Sequence, residues 1–357
     1  MKLKALWGIA LTVLLVVVLP IGVSVGVVDF EGGSGVFMTQ SSVDWWPMLC
    51  HDLNHTGYST STAPNTNSVL WEDTTGASIE SSPAVADGKV YVGSNDYRVH
   101  CLDALTGAGI WIYNTYGVID SAPVVADGKV YVGTWYDKIH CLNARTGAHI
   151  WNYTTGGSVE SSPAVADGMV YVGSYDNKVY CLNASDASMT SEEREIWNYT
   201  TGGCVYSSPA VAYGKVYVGS KDSKVYCLDA LTGAHILNYT LGGPVESSPA
   251  VADGKVYVGS NDYKVYCLNA LTGAHIWNYT TGSYVKSSPA VADGRVYVGS
   301  WDHNVYAFGP PPVGGIWIPV DKFGLLAPYI ALASTILVAT AATAIYVKRV
   351  KRRKEKP

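Results

Sequence analysis

This chain has no Walker-type phosphate loop and no H-E-x-x-H helix. Their absence removes two motif classes that mark nucleotide and zinc-hydrolase chemistry. A basic body is missing as well. The formal charge is −5, but residues 348–357 hold seven Lys/Arg and one Glu, and Lys2 and Lys4 add two cations, so the body between carries about −13. That balance excludes nucleic acid as a partner. Phenylalanine is scarce, with 4 Phe against 26 Tyr and 37 Gly in 357 residues. Repeated Val-Tyr-Val triplets in such a composition favour β structure, and the length suits one large domain or two ordinary ones.

Apolar runs stand at both ends. Residues 5–28 and 324–347 are each 24 residues without a charge, against about 20 needed to span a bilayer. The second run meets the basic tail 348–357 at once, a stop-transfer pattern that puts the tail in the cytoplasm. Residues 1–28 read either as a signal peptide, with small residues at Ser24 and Gly26, or as a retained anchor. Either way the middle is expected outside the cytoplasm, at the cell membrane. The first Cys is residue 50, with no lipobox after the apolar run, which argues against a lipid anchor.

Between the runs one phrase recurs six times, beginning at Ser81, Ser121, Ser161, Ser207, Ser247 and Ser287, at spacings of 40, 40, 46, 40 and 40. The extra six residues fall in a polar insertion within 185–197, read as a solvated acidic loop. A period near 40 made of short strands indicates a propeller or related array. Each copy resolves into four strands, with Asp-Gly as a type I′ hairpin signal between the first two. Pro83 and its five equivalents are expected inside the first strand, which makes that strand a sheet edge lining a central channel. The sixth copy lacks its last strand before a Pro/Gly linker, 309–323, while an unmatched LWEDTTG stands at 70–76. Pairing the two would close six blades without a free edge. A seventh blade from residues 43–68 is the alternative. The organisation expected is a lead-in at 29–69 and an all-β propeller of four-stranded blades at 70–308, flanked by terminal transmembrane helices.

The unit CLDALTGAGIW at 101–111 and its copies resemble the tryptophan-docking motif A-x-D-x-x-T-G-x-x-x-W of the PQQ-like (pyrroloquinoline quinone) β-propeller repeats. Those repeats occur in quinoprotein dehydrogenases and in an outer-membrane assembly lipoprotein. The lead-in at 44–59 also looks like the segment preceding such propellers. The resemblance covers about residues 44–308. It implies that Trp71, Trp111, Trp151, Trp197 and Trp277 wedge between blades, with Leu237 a degenerate copy. It also admits PQQ with calcium as a cofactor, though the adjacent cysteine pair of many such dehydrogenases is absent. No cofactor and no metal site is the expectation.

Five of the seven cysteines, Cys101, Cys141, Cys181, Cys227 and Cys267, hold one repeat position and read as small core hydrophobes. Cys50 and Cys204 stand outside the pattern and form a candidate disulfide. His149, His235 and His275 recur one per blade, too far apart to share a zinc ion. Where the copies differ is more informative. Loops joining strands two and three bring Tyr97, Trp135, Tyr136, Tyr175, Tyr263 and Trp301 to one face. Glu80, Asp120, Glu160 and Glu246 precede the inner strands on that same face, with Tyr206 and Lys286 at the other two places. Aromatic rings beside carboxylates suit cations, sugars or basic peptide segments. Sequons at Asn54, Asn152, Asn183, Asn198, Asn238 and Asn278 are candidate glycosylation sites outside the cytoplasm. The expectation is a membrane-anchored, non-enzymatic binding scaffold for a surface protein or glycan. A PQQ- or metal-dependent oxidoreductase and a surface polysaccharide-processing enzyme are the alternatives.

Overall fold

The computed structural model describes residues 45–57, 59, 64–185 and 187–310. Both apolar runs and the basic tail lie outside them. Among the described residues no helix is long and apolar enough to cross a membrane.

Six antiparallel sheets follow one another along the chain, five of four strands and one of three. The first is β1 (Ala84–Ala86), β2 (Lys89–Ser94), β3 (Arg98–Asp103) and β4 (Gly109–Asn114), paired in that order. The second runs β5 (Val124–Ala126), β6 (Lys129–Thr134), β7 (Lys138–Asn143) and β8 (His149–Thr154). The third holds β9 (Ala164–Ala166), β10 (Met169–Gly173), β11 (Lys178–Asn183), a short helix α1 (Ser191–Arg194) and β12 (Glu195–Thr200). Then come β13 (Ala210–Ala212) to β16 (His235–Thr240), β17 (Ala250–Ala252) to β20 (His275–Thr280), and β21 (Ala290–Ala292), β22 (Arg295–Gly299), β23 (Val305–Phe308). Asp87 and Gly88 both have positive φ, 50° and 70°, as the type I′ turn requires.

The inner strands are only three residues long, and Pro83 stands one residue before β1 rather than within it. Each inner strand packs on the next from β1 to β21. Cores form between adjacent sheets because strand residues alternate faces. Val130 and Val132 of β6 pack with Tyr91 and Cys101 of the first sheet, while Tyr131 between them packs with Val170 and Val172 of the third.

The scarcity of Phe has a structural reason. Tyr91, Tyr131, Tyr171 and Tyr217, all 2% exposed or less, each donate their hydroxyl to an alanine carbonyl of the next sheet: Ala144, Ala184, Ala230 and Ala270, at 2.9–3.3 Å. A Phe at that place would leave the carbonyl with one donor fewer. Tyr297 of the sixth sheet holds the same position but is 37% exposed, because no described sheet follows it.

Two expectations fail here. Residues 70–76 form no strand and make no ladder with β23. Instead Trp71 seats its ring on the first sheet, where its indole N–H donates to the Ala104 carbonyl at 3.1 Å. Nor do the described residues among 43–68 build a seventh sheet. Within them, 45–57 run along the inner strands and offer carbonyls to their unpaired N–H groups in sheet order. Trp46 O accepts from Val85, Pro47 O from Val125, Leu53 O from Val211, Asn54 O from Val251 and Thr56 O from Val291, all at 2.7–2.8 Å. The lead-in is a plug that satisfies the inner edge. Edge strands need such a cover, since buried N–H groups without acceptors are costly.

Candidate functional site

Each four-stranded sheet presents its second-to-third-strand loop and the end of its fourth strand on one face: Thr115 N–H donates to Tyr97 O at 2.8 Å, and Thr281 N–H to Tyr263 O at 2.7 Å. Within these loops the aspartates are structural. Oδ2 of Asp96, Asp176, Asp222, Asp262 and Asp302 accepts the N–H of Gly76, Gly156, Gly202, Gly242 and Gly282 at 2.6–3.0 Å. Each bond ties the end of one fourth-strand segment to the loop of the following sheet. Tyr97 and Tyr263, with φ 71° and 70°, occupy left-handed turn positions that few large residues adopt.

The ring residues and the first loop residue lie 15 positions apart in every copy, and the structure pairs them. Glu80 Oε1 accepts from Asn95 at 3.1 Å, Asp120 Oδ2 from the Trp135 indole at 3.0 Å, and Glu246 Oε1 from Asn261 at 3.2 Å. The Tyr175 hydroxyl acts on the Glu160 carboxyl, Lys221 lies 4.0 Å over the Tyr206 ring, and Lys286 lies 4.6 Å over Trp301. So one position pair holds five different chemistries in six copies, Glu with Asn occurring twice, on a scaffold that otherwise repeats itself.

These pairs also sense each other. Burial raises the Asp120 carboxyl above its usual range, and Glu80 raises it further. Burial likewise raises Glu160; Asp120 and Glu246 add to this, while the Tyr175 hydroxyl and Lys221 oppose it. Burial also acts upward on Glu246, but Lys286 at 2.9 Å and Lys221 at 3.5 Å outweigh it and hold that carboxyl low. The mouth is therefore divided. Glu80, Asp120 and Glu160 form an acidic side, and Glu246 is already neutralised by two lysines. Around them Tyr97, Trp135, Tyr136, Tyr263 and Trp301 are 42–62% exposed, whereas Tyr175 packs against Tyr206 with centroids 4.1 Å apart and the rings tilted by 50°.

The tryptophans sit between sheets. Trp111 and Trp197 donate to Ala144 O and Ala230 O at 3.1 and 3.0 Å. Trp111 also lies against Gly147, where a Cβ would come within 2.6 Å of its ring, and the backbone there has φ 70°. Trp151 departs from the pattern. Its Nε1 is buried without an acceptor, because the insertion replaces the Thr-Gly loop with α1, and Arg194 stacks on the ring at 4.2 Å. Arg194 is 1% exposed and donates to Asn183 O at 2.9 Å. The insertion is thus partly an interior wedge and not wholly a solvated loop. Trp277 packs on Phe308 at 5.2 Å.

All seven cysteines are free, so the Cys50–Cys204 disulfide is not formed. Cys50 belongs to the plug, where its carbonyl accepts from Asp52 and Gly57, while the Cys204 carbonyl accepts from Lys221 on the loop face. Burial pushes the core thiols up to about 12 in Cys101, Cys141 and Cys181 and to about 11 in Cys227 and Cys267, which leaves them unreactive. His149, His235 and His275 each stack on a tyrosine of the preceding sheet. Their Nε2 atoms meet the amides of Asn152, Asn238 and Asn278 at 2.8–3.1 Å. Asn198 bonds Glu195, Asn183 closes a turn onto Ser185, and Asn54 lies in the plug.

The lead-in runs along the inner edge, and among the described residues no three His, Cys, Asp or Glu side chains converge as metal ligands.

Solved structures resemble this fold. BamB from Moraxella catarrhalis is 20% identical over 64% of this chain and 72% of its own, with a TM-score of 0.57. A quinohemoprotein alcohol dehydrogenase from Pseudomonas putida is 16% identical over 72% of this chain and 57% of its own, with a TM-score of 0.62. The computationally designed Ika8 protein is 17% identical over 64% and 70%, with a TM-score of 0.56. At such identities the likeness speaks for the fold alone. Among curated proteins none matches. The family profile described as outer membrane protein assembly factor BamB matches residues 55–119, 98–244 and 187–310, so this chain belongs to that PQQ-repeat propeller family.

Proposed function

We propose that this protein is a membrane-anchored, extracytoplasmic propeller that acts as a non-enzymatic scaffold, with its loop face taking a cationic segment of a surface protein. The observation that carries this reading is the set of six paired positions, which show five different chemistries while the sheets around them repeat. Selection for folding alone would leave them as uniform as the Asp–Gly ties below. Glu80, Asp120 and Glu160 form a carboxylate cluster whose mutual repulsion a lysine or arginine side chain relieves. The exposed Trp and Tyr rings beside it add cation–π and apolar contact. Family membership supports a scaffold role, and the apolar runs at 5–28 and 324–347 support the anchoring.

The test is titration of the detergent-solubilised full chain with Lys-rich and matched Glu-rich peptides. Binding of the basic peptide should weaken several-fold between 20 and 300 mM salt, since exposed charges are screened over about 10 Å at 0.1 M. Substituting Trp135, Tyr175 and Trp301 together by Ala should abolish it without unfolding the chain. Equal binding of both peptides would refute the reading.

A further inference from the structure

Five of the six loops on this face are closed by a carboxylate that makes two bonds. Besides the glycine N–H of the preceding segment, Oδ2 of Asp96, Asp176, Asp222, Asp262 and Asp302 meets the ring residue four positions on. That residue is His100, through Nε2, or Tyr180, Tyr226, Tyr266 or Tyr306, through the hydroxyl, at 2.5–3.0 Å. The second sheet is the exception. Its loop reads Trp135-Tyr136-Asp137, so a tyrosine takes the aspartate's place, and Tyr116 takes that of the glycine. Tyr116 has φ 61° and turns its N–H back to Asn114 Oδ1 at 2.8 Å. Tyr116 and Tyr136 are 76% and 62% exposed. This loop is untied.

The ring residue of the untied loop is His140, 4% exposed. It meets Tyr113 with centroids 5.8 Å apart at 62°. Tyr180 meets Tyr153, and Tyr226 meets Tyr199, in nearly the same way, at 5.7 and 5.6 Å and at 59° and 58°. The imidazole therefore holds the place of the tie-making ring but has no carboxylate to meet. Neither of its nitrogens has a hydrogen-bond partner among the described residues. Its surroundings oppose a positive charge. Burial, then Lys138 of its own strand and His149 of β8, lower its pKa from 6.5 to about 4. Val132 of β6, Tyr113 of β4 and Asn152 of β8 are its other neighbours, and the Asn152 amide is taken by His149. No carboxylate is among them, so a protonated ring would be a buried charge without a partner.

We propose that the loop of the second sheet is an acid-operated hinge, which opens when His140 takes a proton and moves to water. Opening breaks the bonds from Trp135 N–H to Val118 O at 3.0 Å and from Thr155 N–H to Asp137 O at 2.7 Å. It also draws the Trp135 indole away from Asp120 Oδ2, which it meets at 3.0 Å. Resting on the scaffold reading above, this releases a bound cationic segment as pH falls, because the acidic side loses the aromatic ring beside it.

Hydrogen exchange of the full chain in detergent at pH 7 and pH 5, corrected for the intrinsic effect of pH, tests the hinge. With the imidazole at 6.5 in the open loop and about 4 in the closed one, the opening constant rises about 20-fold between these pH values. Exchange at Trp135 and Thr155 should rise by that factor relative to Asn261 and Thr281. Those two amides make the matching bonds of the fifth sheet, at 2.8 and 2.7 Å, where the Asp262 tie is intact. An equal change in both loops would overturn the proposal, and the unsubstituted chain alone decides this. In His140→Phe, which keeps a ring and cannot titrate, the excess rise should vanish; its survival would likewise overturn the hinge. For release, a Lys-rich peptide should lose several-fold more affinity on acidification with the wild type than with His140→Phe, since the carboxylates' own titration is common to both. Equal losses would refute release. No binding by either chain at pH 7 would refute the scaffold reading, while the exchange result still decides the hinge.

Discussion

The plug that fills the inner edge makes the protein sensitive to acid in a way that one residue reports. His55 is 2% exposed, and one ring nitrogen lies 3.2 Å from the Pro249 carbonyl. Burial pushes its pKa from the ordinary 6.5 down to about 4, against smaller upward effects of Pro249 and Asp52. In the folded chain the imidazole is neutral, while in the unfolded chain it takes a proton below 6.5. Its contribution is fully present above pH 6.5 and is lost as pH falls toward 4. One pKa unit corresponds to about 1.4 kcal/mol, so the loss is about 3 kcal/mol. That is a large part of a typical stability of about 5–15 kcal/mol. Gln at this position stays neutral and keeps an amide donor for Pro249. Urea unfolding of wild type and His55→Gln should be compared at pH 7, 6, 5 and 4.5. The difference in unfolding free energy should move against wild type by up to about 3 kcal/mol as pH drops, while contributions common to both, such as that of buried His140, cancel. Parallel profiles would refute the reasoning, because they would mean that His55 titrates in water and the plug is not seated.

Removing the wedge in the insertion, Arg194→Ala, should cost about 2–4 kcal/mol in urea unfolding, from a charge-assisted hydrogen bond and a desolvated cation–π contact. Gly147→Ala should lower the unfolding midpoint much more than Gly128→Ala. Both positions have φ 70°, but a Cβ at 147 meets Trp111 at 2.6 Å whereas at 128 nothing lies within 4 Å, leaving only the left-handed backbone cost of about 1–2 kcal/mol. Thiol titration of the native chain at pH 7.5 should count no more than two reactive cysteines, Cys50 and Cys204, against seven after denaturation. A third native thiol would contradict the burial of the core series. Adding PQQ with calcium should leave the thermal unfolding midpoint unchanged, since a ligand at about 100 times its Kd would stabilise the fold by about 2.7 kcal/mol.

The repeat period, the strand alternation and the Asp-Gly turns fix most of the architecture, because each depends on neighbours within one copy. Trp111 and Trp197 are legible as wedges only through the resemblance of their repeat to the tryptophan-docking motif. Arg194 is not, since only the replaced loop beside Trp151 gives a buried cation a ring to stack on. The free thiols of Cys50 and Cys204 were open to either reading, because sequence separation does not report which face of the array each residue reaches. The 70–76 segment shows the same limit. Its phrase marks it as a fourth strand, but the phrase does not say which sheet it joins.

By itself the sequence determined that the chain is an array of short strands between two apolar runs, with much of its variation in one set of loops and an insertion within 185–197. Only the tertiary structure decided that the lead-in runs along the inner edge. Its role rests on carbonyls meeting the N–H of Val85, Val125, Val211, Val251 and Val291, and backbone groups leave no mark in a side-chain pattern. The structure alone also decided that the Asp–Gly ties are structural while Glu80, Asp120 and Glu160 face one another. Both sets are carboxylates in turns, and what separates them is whether a neighbouring sheet supplies an N–H donor within reach.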